Sequence, residues 1–297
     1  MSNALVRELI TAAKAELSSS SESPKLDAEL LLAHVLKCTR LQLLVTSHVE
    51  INATVREEFN QLVERRKNYE PIAYLTGVKE FWGLEFSVNS SVLIPRPDTE
   101  TLVEQALQEI SKLTTAVRIL DLGTGSGAIA ISLAAELYKQ KMAFEMYATD
   151  QSPLALEVAQ ANSKKILAAQ TEPIKFIEGS WFEPLRLDAS LLNSFDLIVS
   201  NPPYIDPADT GVCEETRRFE PASALYAGGV AALADIEAII LGAADFLKVG
   251  GTLLIEIGST QAAPLLELLA KNSSYSNLQI IKDLAQLDRV VKLTRVV

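Results

Sequence analysis

A chain of 297 residues, 48% hydrophobic and 22% charged, has the make-up of an ordinary globular protein and the length for two domains. Its formal net charge of −11 argues against a protein that lives on nucleic-acid phosphates, and no apolar run has the length of a membrane span or the layout of a signal peptide. Cys38 and Cys213 are isolated, without the paired spacing of a zinc or redox site, so the expected setting is reducing and cytoplasmic. The charge is unevenly spread: residues 1–75 hold nine Lys/Arg against ten Asp/Glu, and the remainder carries −10.

Residues 1–75 read as helices. Leu5, Leu9, Ala13 and Leu17 repeat on one face. Ser23-Pro24 supplies an N-cap followed by proline at the first helical position, and Leu26, Leu30, Ala33 and Leu36 follow at helical spacing. A third helix is expected over 54–68, with Val55, Phe59, Leu62 and Val63 inward. A small helical bundle is the reading. His34 and His48, the chain's two histidines, both fall here, so the remainder has no histidine to act as a base.

Over 76–92 the pattern changes to strand-like alternation, Phe81, Trp82, Leu84, Phe86 and Val88 around Gly83, as in a hairpin linking two domains. Ile94-Pro95-Arg96-Pro97-Asp98-Thr99-Glu100 is a stiff lead into a helix with Leu102, Ala106 and Ile110 on one face. Asp98 suits the N-cap, and Arg96 is placed to meet either a carboxylate or a substrate backbone.

Beyond Thr115 strands and helices alternate, the signature of a parallel α/β sheet. Strands are expected at 117–122, 145–149, 174–177, 195–200 and 252–257, with a final hairpin, 278–282 and 289–297, on the sheet edge. Helices are expected at 153–167, capped by Ser152, and at 232–247, closed by Gly250-Gly251.

The first of these strands runs into Asp121-Leu122-Gly123-Thr124-Gly125-Ser126-Gly127-Ala128 and a helix. Glycines allow a tight turn and let a ligand approach the backbone beside a helix N-terminus. They do not separate a nicotinamide cofactor from a nucleoside one. Their neighbours sharpen the choice. Asp150 ends the next strand, where a carboxylate accepts ribose hydroxyls, and Asp121 is suited to the ammonium of an amino-acid tail. Trp181, after Gly179-Ser180, offers a ring for adenine. An adenosyl group with an amino-acid tail describes S-adenosylmethionine, whose sulfonium suits an acidic pocket.

The strand at 195–200 ends in Asn201-Pro202-Pro203-Tyr204. Two prolines fix the backbone, and Pro202 drives Asn201 to extended dihedrals. The result is a rigid rim with an amide oxygen, a carbonyl and a flat ring, which suits a planar NH2 group. A proline-rich turn is the ordinary alternative, but this tetrapeptide arises by chance in roughly one chain per thousand of this length.

Together these residues resemble the protein-(glutamine-N5) methyltransferases of peptide chain release factors, the PrmC/HemK family. The resemblance covers nearly the whole chain: the helical N-terminal part, Phe81-Trp82, residues 94–100, the glycine turn, Asn201-Pro202-Pro203-Tyr204, and Phe219-Glu220-Pro221 with Ala224-Leu225. It implies a Rossmann-like, seven-stranded S-adenosylmethionine-dependent methyltransferase domain over 94–297, a hairpin link over 76–93, and a helical substrate-recognition domain over 1–75. It further implies that Asp121, Gly123, Thr124, Gly125, Ser126, Gly127, Asp150, Ser180, Trp181 and Asn201 contact S-adenosylmethionine, which leaves as S-adenosylhomocysteine. Asn201 and Pro202 would carry the catalysis. With Pro203, Tyr204 and Arg96 they would hold the glutamine of a Gly-Gly-Gln loop in a class 1 release factor. No nucleic acid, membrane or metal is expected to take part, and the protein is expected to be a monomer. Two positions depart from the family pattern: Ser180, where members often carry Asp, and Gln286, where Gly is expected in the turn before Asp288-Arg289.

An amide nitrogen is a poor nucleophile, and acceptors on its NH2 group would stabilise charge developing there and aim it at the methyl. Three other readings compete. An N6-adenine methyltransferase shares the NH2 chemistry but needs base flipping and a cationic surface. A release-factor-binding protein without catalysis would not need Asp150 and Asn201. A nicotinamide oxidoreductase leaves the double proline unexplained.

Overall fold

The N-terminal periodicities close into α1 (Ser2–Glu16), α2 (Pro24–Val35), α3 (Arg40–Val45), α4 (Ala53–Lys67) and α5 (Ile72–Thr76). The computed structural model describes residues 2–45, 51–168, 174–270 and 272–297; His48 lies outside them. The helices bury a shared core that includes Val6, Ile10, Leu17, Leu31, Leu32, Phe59 and Val63. On α1 the buried stripe is Val6-Ile10-Ala13, continued by Leu17 just beyond the helix, so Leu5 and Leu9 sit at its edge and not at its centre. On α2 the expected face is displaced further: Leu26 is exposed, while Asp27 and Glu29 are buried.

Ion pairs explain that rotation. Asp27 accepts from Arg66 at 2.7 Å and Glu29 from Arg40 at 2.6 Å. A carboxylate is tolerated inside only with such a partner, and α2 turns to provide it. Pro24 stands at the first turn as expected, but the Ser23 hydroxyl bonds Asp27 Oδ1 (3.3 Å) and caps no backbone N–H. His34 is exposed near the end of α2.

Arg66 also donates to Glu215 at 2.6 Å, and Glu215 lies on a short helix, Glu214–Phe219, far along the chain. The chain accordingly forms two compact units. One is Met1–Val78 with Val212–Phe219; the other is Lys79–Gly211 with Glu220–Val297. The hairpin of β1 (Val78–Phe81) and β2 (Leu84–Ser87) turns on Trp82 and Gly83, both at positive φ (53° and 69°), the geometry of a two-residue hairpin turn.

The elements that follow are α6 (Glu100–Ile110), β3 (Val117–Leu122), α7 (Ala128–Lys139), β4 (Phe144–Asp150), α8 (Pro153–Ile166), β5 (Ile174–Glu178) and β6 (Phe195–Ser200). After them come α9 (Glu214–Phe219), α10 (Ala222–Leu225), α11 (Ala234–Phe246), β7 (Leu247–Glu256), α12 (Ala262–Leu269), β8 (Tyr275–Lys282) and β9 (Asp288–Arg295). Seven strands form one sheet in the order β5-β4-β3-β6-β7-β9-β8. The five from β3 to β7 pair in parallel, and β9 runs antiparallel to both β7 and β8. This is the expected Rossmann-like methyltransferase architecture with its terminal hairpin, β8 forming the edge.

Both faces of the sheet are covered. Ile119, Met146, Leu197, Val199 and Leu254 pack with α6 and α7 on one side. Leu120, Leu122, Ile198, Leu253 and Ile255 pack with α11 on the other. Strands buried on both faces read as continuous apolar runs, which is why their positions were legible. The glycines at 250–251 do not close α11. That helix ends where Leu247 turns extended into β7, and Gly251 lies inside the strand, where an added Cβ would stand 3.1 Å from the Phe195 carbonyl. Among the described residues no helix is long and apolar enough to cross a membrane.

The chain runs outward from β3 to β4 and β5, then returns to the other side of β3 as β6. Strand order therefore reverses between β3 and β6, and a crevice opens beyond their carboxyl ends. Asp121 pairs with Val199 and Leu122 with Ser200, so the glycine turn and Asn201 leave the sheet side by side.

Candidate functional site

The glycine turn is held by the neighbouring strand. The N–H groups of Gly123 and Thr124 both donate to the Thr149 carbonyl, at 2.9 Å each. Gly123, Gly125 and Gly127 take φ of 69°, 55° and 81°, which a side chain would resist. From the far side, Ser200 Oγ donates to the Leu122 carbonyl at 2.8 Å and ties the end of β6 to the start of the turn. Beneath it, Asn162 of α8, fully buried, donates to the Ser126 and Ser87 carbonyls and accepts from Ser87 N–H.

A cavity of about 340 Å³ lies above this turn. Gly123, Thr124, Gly125 and Ser126 line it, with Asp150, Ser180 and Trp181 from the ends of β4 and β5. Asn201 and Pro203 enter it from β6, and Arg96 and Thr99 from the segment before α6. Sequence positions far apart thus meet in one cavity. Four expected residues are not on its wall: Asp121, Gly127, Pro202 and Tyr204.

Asp121 is 0% exposed and sits under the turn. Its Oδ2 accepts from Thr124 Oγ1 at 2.7 Å and from Ala130 N–H at 3.3 Å, while Oδ1 has no partner among the described residues. Burial, reinforced by the nearby Asp150 charge, pushes its pKa up to about 7. Gly127 closes the turn; a Cβ there would lie 2.6 Å from Ile131 Cδ1. Asp150 is on the wall, with Oδ2 accepting from Gly125 N–H (2.8 Å) and Oδ1 from Ser152 N–H (2.9 Å). Each oxygen keeps a lone pair for a ligand hydroxyl. Burial raises the Asp150 pKa, and the two N–H bonds oppose the rise.

Trp181 has φ of 44° and lies over Gly123; a Cβ on that glycine would stand 3.3 Å from the ring. Asp235, in the first turn of α11, lines the cavity too.

Asn201 donates through Nδ2 to Thr99 Oγ1 at 3.1 Å, which leaves Oδ1 as the amide's open acceptor. Tyr204 lies behind, its hydroxyl donating to Glu256 Oε1 at 3.1 Å and its carbonyl accepting from Gln261 at 3.1 Å. The other carboxylate oxygen, Glu256 Oε2, has no hydrogen-bond partner among the described residues. Burial lifts the fully enclosed Glu256 carboxyl to about 7 and raises the Tyr204 phenol as well.

Arg96 meets a carboxylate of this same unit: it pairs with Glu220, whose other oxygen accepts the Ile94 N–H at 3.0 Å. The Phe-Glu-Pro segment is thereby fastened to residues 94–96. Asp98 forms no cap; it faces Arg289 at 3.5 Å, and Thr99 precedes α6. Glu256, Gln261, Asp235 and Asn162 escaped the sequence reading. A lone acid at a strand end and a lone amide in a helix carry no spacing signal, and the register of β6 against β7 is what gives Glu256 its meaning.

Two family models match the chain, the PrmC N-terminal domain over residues 8–77 and a methyltransferase domain over 113–294. The release factor glutamine methyltransferase of Neisseria gonorrhoeae is 42% identical over 91% of this chain and 93% of its own. That of Yersinia pestis is 44% identical over 91% and 92%, and that of Burkholderia pseudomallei 41% over 94% of each. Among solved structures, the hMettl16 catalytic domain in complex with a 3′UTR hairpin aligns over 83% of this chain and 87% of that one, with a TM-score of 0.53. At 17% identity that likeness speaks for the fold alone.

Proposed function

This chain belongs to the family of release factor glutamine methyltransferases, and we propose that it transfers a methyl group from S-adenosylmethionine to the side-chain amide nitrogen of the glutamine in a release factor's Gly-Gly-Gln loop. The observation that carries the reading is that Asn201, its Nδ2 committed to Thr99, lines the same cavity as the glycine turn, Asp150 and Trp181. An acceptor for an NH2 group and a cradle for a nucleoside then face one space.

S-adenosylmethionine supplies an electrophilic methyl on a positively charged sulfur. The residues present fit it: the positive-φ glycines admit a ligand to the backbone, the fixed Asp150 oxygens have free lone pairs for two hydroxyls, and Trp181 with Ser180 offers a surface for adenine. Asp121, behind the turn, contributes negative charge beneath the cationic end of the donor.

The glutamine NH2 is held by Asn201 Oδ1 on the cavity wall, with the Pro202 carbonyl and the Tyr204 ring behind it. These acceptors stabilise positive charge as it develops on nitrogen and aim the nitrogen at the methyl. The N–C bond forms as the S–C bond breaks. The methylated nitrogen is then strongly acidic and gives its proton to water, so no histidine base is needed. The near-neutral helical unit holds the remainder of the release factor.

The test is methyl transfer from S-adenosylmethionine to unmethylated release factor, read by peptide mass spectrometry. One added methyl on the Gly-Gly-Gln glutamine, lost with Asn201→Ala, supports the assignment. Transfer to a nucleic-acid control with none to the factor replaces it with the adenine-type reading.

A further inference from the structure

Gln261 spends its side-chain amide on backbone. Oε1 accepts the Gly258 N–H at 2.9 Å, and Nε2 meets three carbonyls, those of Ala231 (2.8 Å), Tyr204 (3.1 Å) and Ala232 (3.1 Å). An amide nitrogen carries two protons, so one of them is shared. With these N–H groups committed and the residue only 4% exposed, any part it plays in the reaction runs through the groups it holds. We propose that Gln261 is a positioning residue for the methyl transfer: it fastens the Tyr204 end of the Asn-Pro-Pro-Tyr rim to the Ala231-Ala232 turn and so fixes where Asn201 presents its amide. The inference rests on the reading of Asn201 given above.

The carbonyls it holds belong to two stretches that supply cavity residues. Asn201 and Pro203 line the cavity immediately before Tyr204, and Ala231-Ala232 lead into α11, whose Asp235 lines it too. The start of the rim is fixed by the sheet, where Ser200 pairs with Leu122 on one side and Ile255 on the other. Pro202 and Pro203 then lock their own φ, so the segment has few ways to bend. Held at one end, such a segment swings as a unit; held at both, it keeps Asn201 in place. Beyond Tyr204, Ile205 N–H donates to the Leu225 carbonyl and Ala227 N–H to the Ile205 carbonyl, each at 3.0 Å. The chain turns back through Gly228-Gly229 to Ala231, and Gln261 joins that return to Tyr204, which closes the ring.

Fold stability alone does not account for the arrangement. Ala231 and Ala232 sit at φ of 53° and 52°, just after Gly229 at 81°. Left-handed alanine is strained, and strain of this kind persists where the surroundings over-determine the backbone, commonly beside functional sites. Gln261 takes both strained carbonyls. The packing around it is close as well: a Cβ on Gly258 would stand 3.2 Å from Gln261 Oε1 and 3.4 Å from Tyr204 Cδ2. Tyr204 is thus gripped at its carbonyl by Gln261, at its hydroxyl by Glu256 (3.1 Å) and along its ring edge by Gly258.

The test uses the full chain with Gln261→Met, the Gln261→Met/Gln286→Gly double variant, Gly258→Ala and Asn201→Ala. Measured for each are kcat and KM with unmethylated release factor, the S-adenosylmethionine Kd by calorimetry, and the urea midpoint. Gln261→Met keeps the length of the side chain and removes its hydrogen bonds. It is expected to lower kcat by about ten-fold or more, with the donor Kd and the release-factor KM each held within about two-fold. Gln286→Gly relaxes a left-handed residue (φ 64°) in the turn before β9, so the double variant regains stability while its kcat stays low. Recovery of kcat along with the urea midpoint makes Gln261 a residue of the fold only and overturns the inference. Wild-type kcat in Gln261→Met overturns it, as does a donor Kd that weakens as far as kcat falls; both leave the site reading standing. Full activity in Asn201→Ala removes the site reading first and this inference with it. Where Gln261→Met does not fold, Gly258→Ala decides the matter, because Gly258 is not at positive φ and its methyl pushes on Gln261 and Tyr204 without deleting a hydrogen-bonding group. Its kcat is expected to fall about three-fold or more at unchanged donor Kd, and wild-type kcat there overturns the role of Gln261.

Discussion

Asn162 Nδ2 donates to the Ser126 carbonyl at 2.9 Å, so a residue that is itself off the cavity wall fixes the turn that forms the floor. The same amide bonds both backbone groups of Ser87. Asn162→Ala leaves buried backbone groups unsatisfied, at about 1–3 kcal/mol each less whatever water restores. The expected outcome is a loss of about 2–3 kcal/mol in urea unfolding, together with weaker S-adenosylmethionine binding.

Gly123 tests the contact between turn and ring. Gly123→Ala places a methyl 3.3 Å from Trp181 at a backbone φ of 69°. Gly250 has φ of 84° with nothing within 4 Å of a built Cβ, so Gly250→Ala carries the backbone strain alone. Both variants should lose about 1 kcal/mol of stability, and only Gly123→Ala should weaken the donor Kd, by about ten-fold. Titration calorimetry on the pair checks this.

The two buried carboxyls give stability a pH dependence whose sign is fixed. Asp121 rises from 3.8, and Glu256 from 4.5, to about 7 in the folded chain. Between the unfolded and folded values the folded state binds more protons, so stability falls as pH rises from about 4 to 7 and levels off above. Glu256→Gln carries no such proton. Relative to wild type it should gain stability on going from pH 5 to pH 8, on the order of 2 kcal/mol, read from urea midpoints at both pH values.

Gln286 occupies the turn before β9 with φ of 64°, and the turn closes in spite of it: Gln286 N–H donates to the Asp283 carbonyl at 2.9 Å, and Leu287 N–H to Asp283 Oδ1 at 3.0 Å. The glycine expected there would relieve left-handed strain, offset in part by its greater freedom when unfolded. Gln286→Gly should stabilise the protein by about 0.5–1 kcal/mol without change in kcat, as followed by denaturant midpoints and the transfer assay.

The strands were legible because each is enclosed on both faces and reads as a run, as at 195–200; the final hairpin was legible from its two separate apolar stretches. The glycine turn and the double proline were legible because few other backbones permit those conformations. Helix faces were less so. The expected stripe on α2 assumed that charges stay outside, and Asp27 and Glu29 are drawn in by Arg66 and Arg40 from other helices. Gly250-Gly251 reads as a helix stop because a glycine pair looks the same whether it ends a helix or bends a strand. Glu256 and Gln261 act through partners supplied only by the sheet register, which no local pattern encodes.

Arg66 reaches Glu215, and with it residues 212–219 join the N-terminal unit. The backbone therefore passes between the units three times, after Val78, after Gly211 and after Phe219. A protease that cuts once after Val78 does not release the helices. Nor are they a module that recombination can exchange in one piece. Replacing the first 78 residues with those of a relative would set a foreign surface against a native Glu215, so the two stretches must be inherited together.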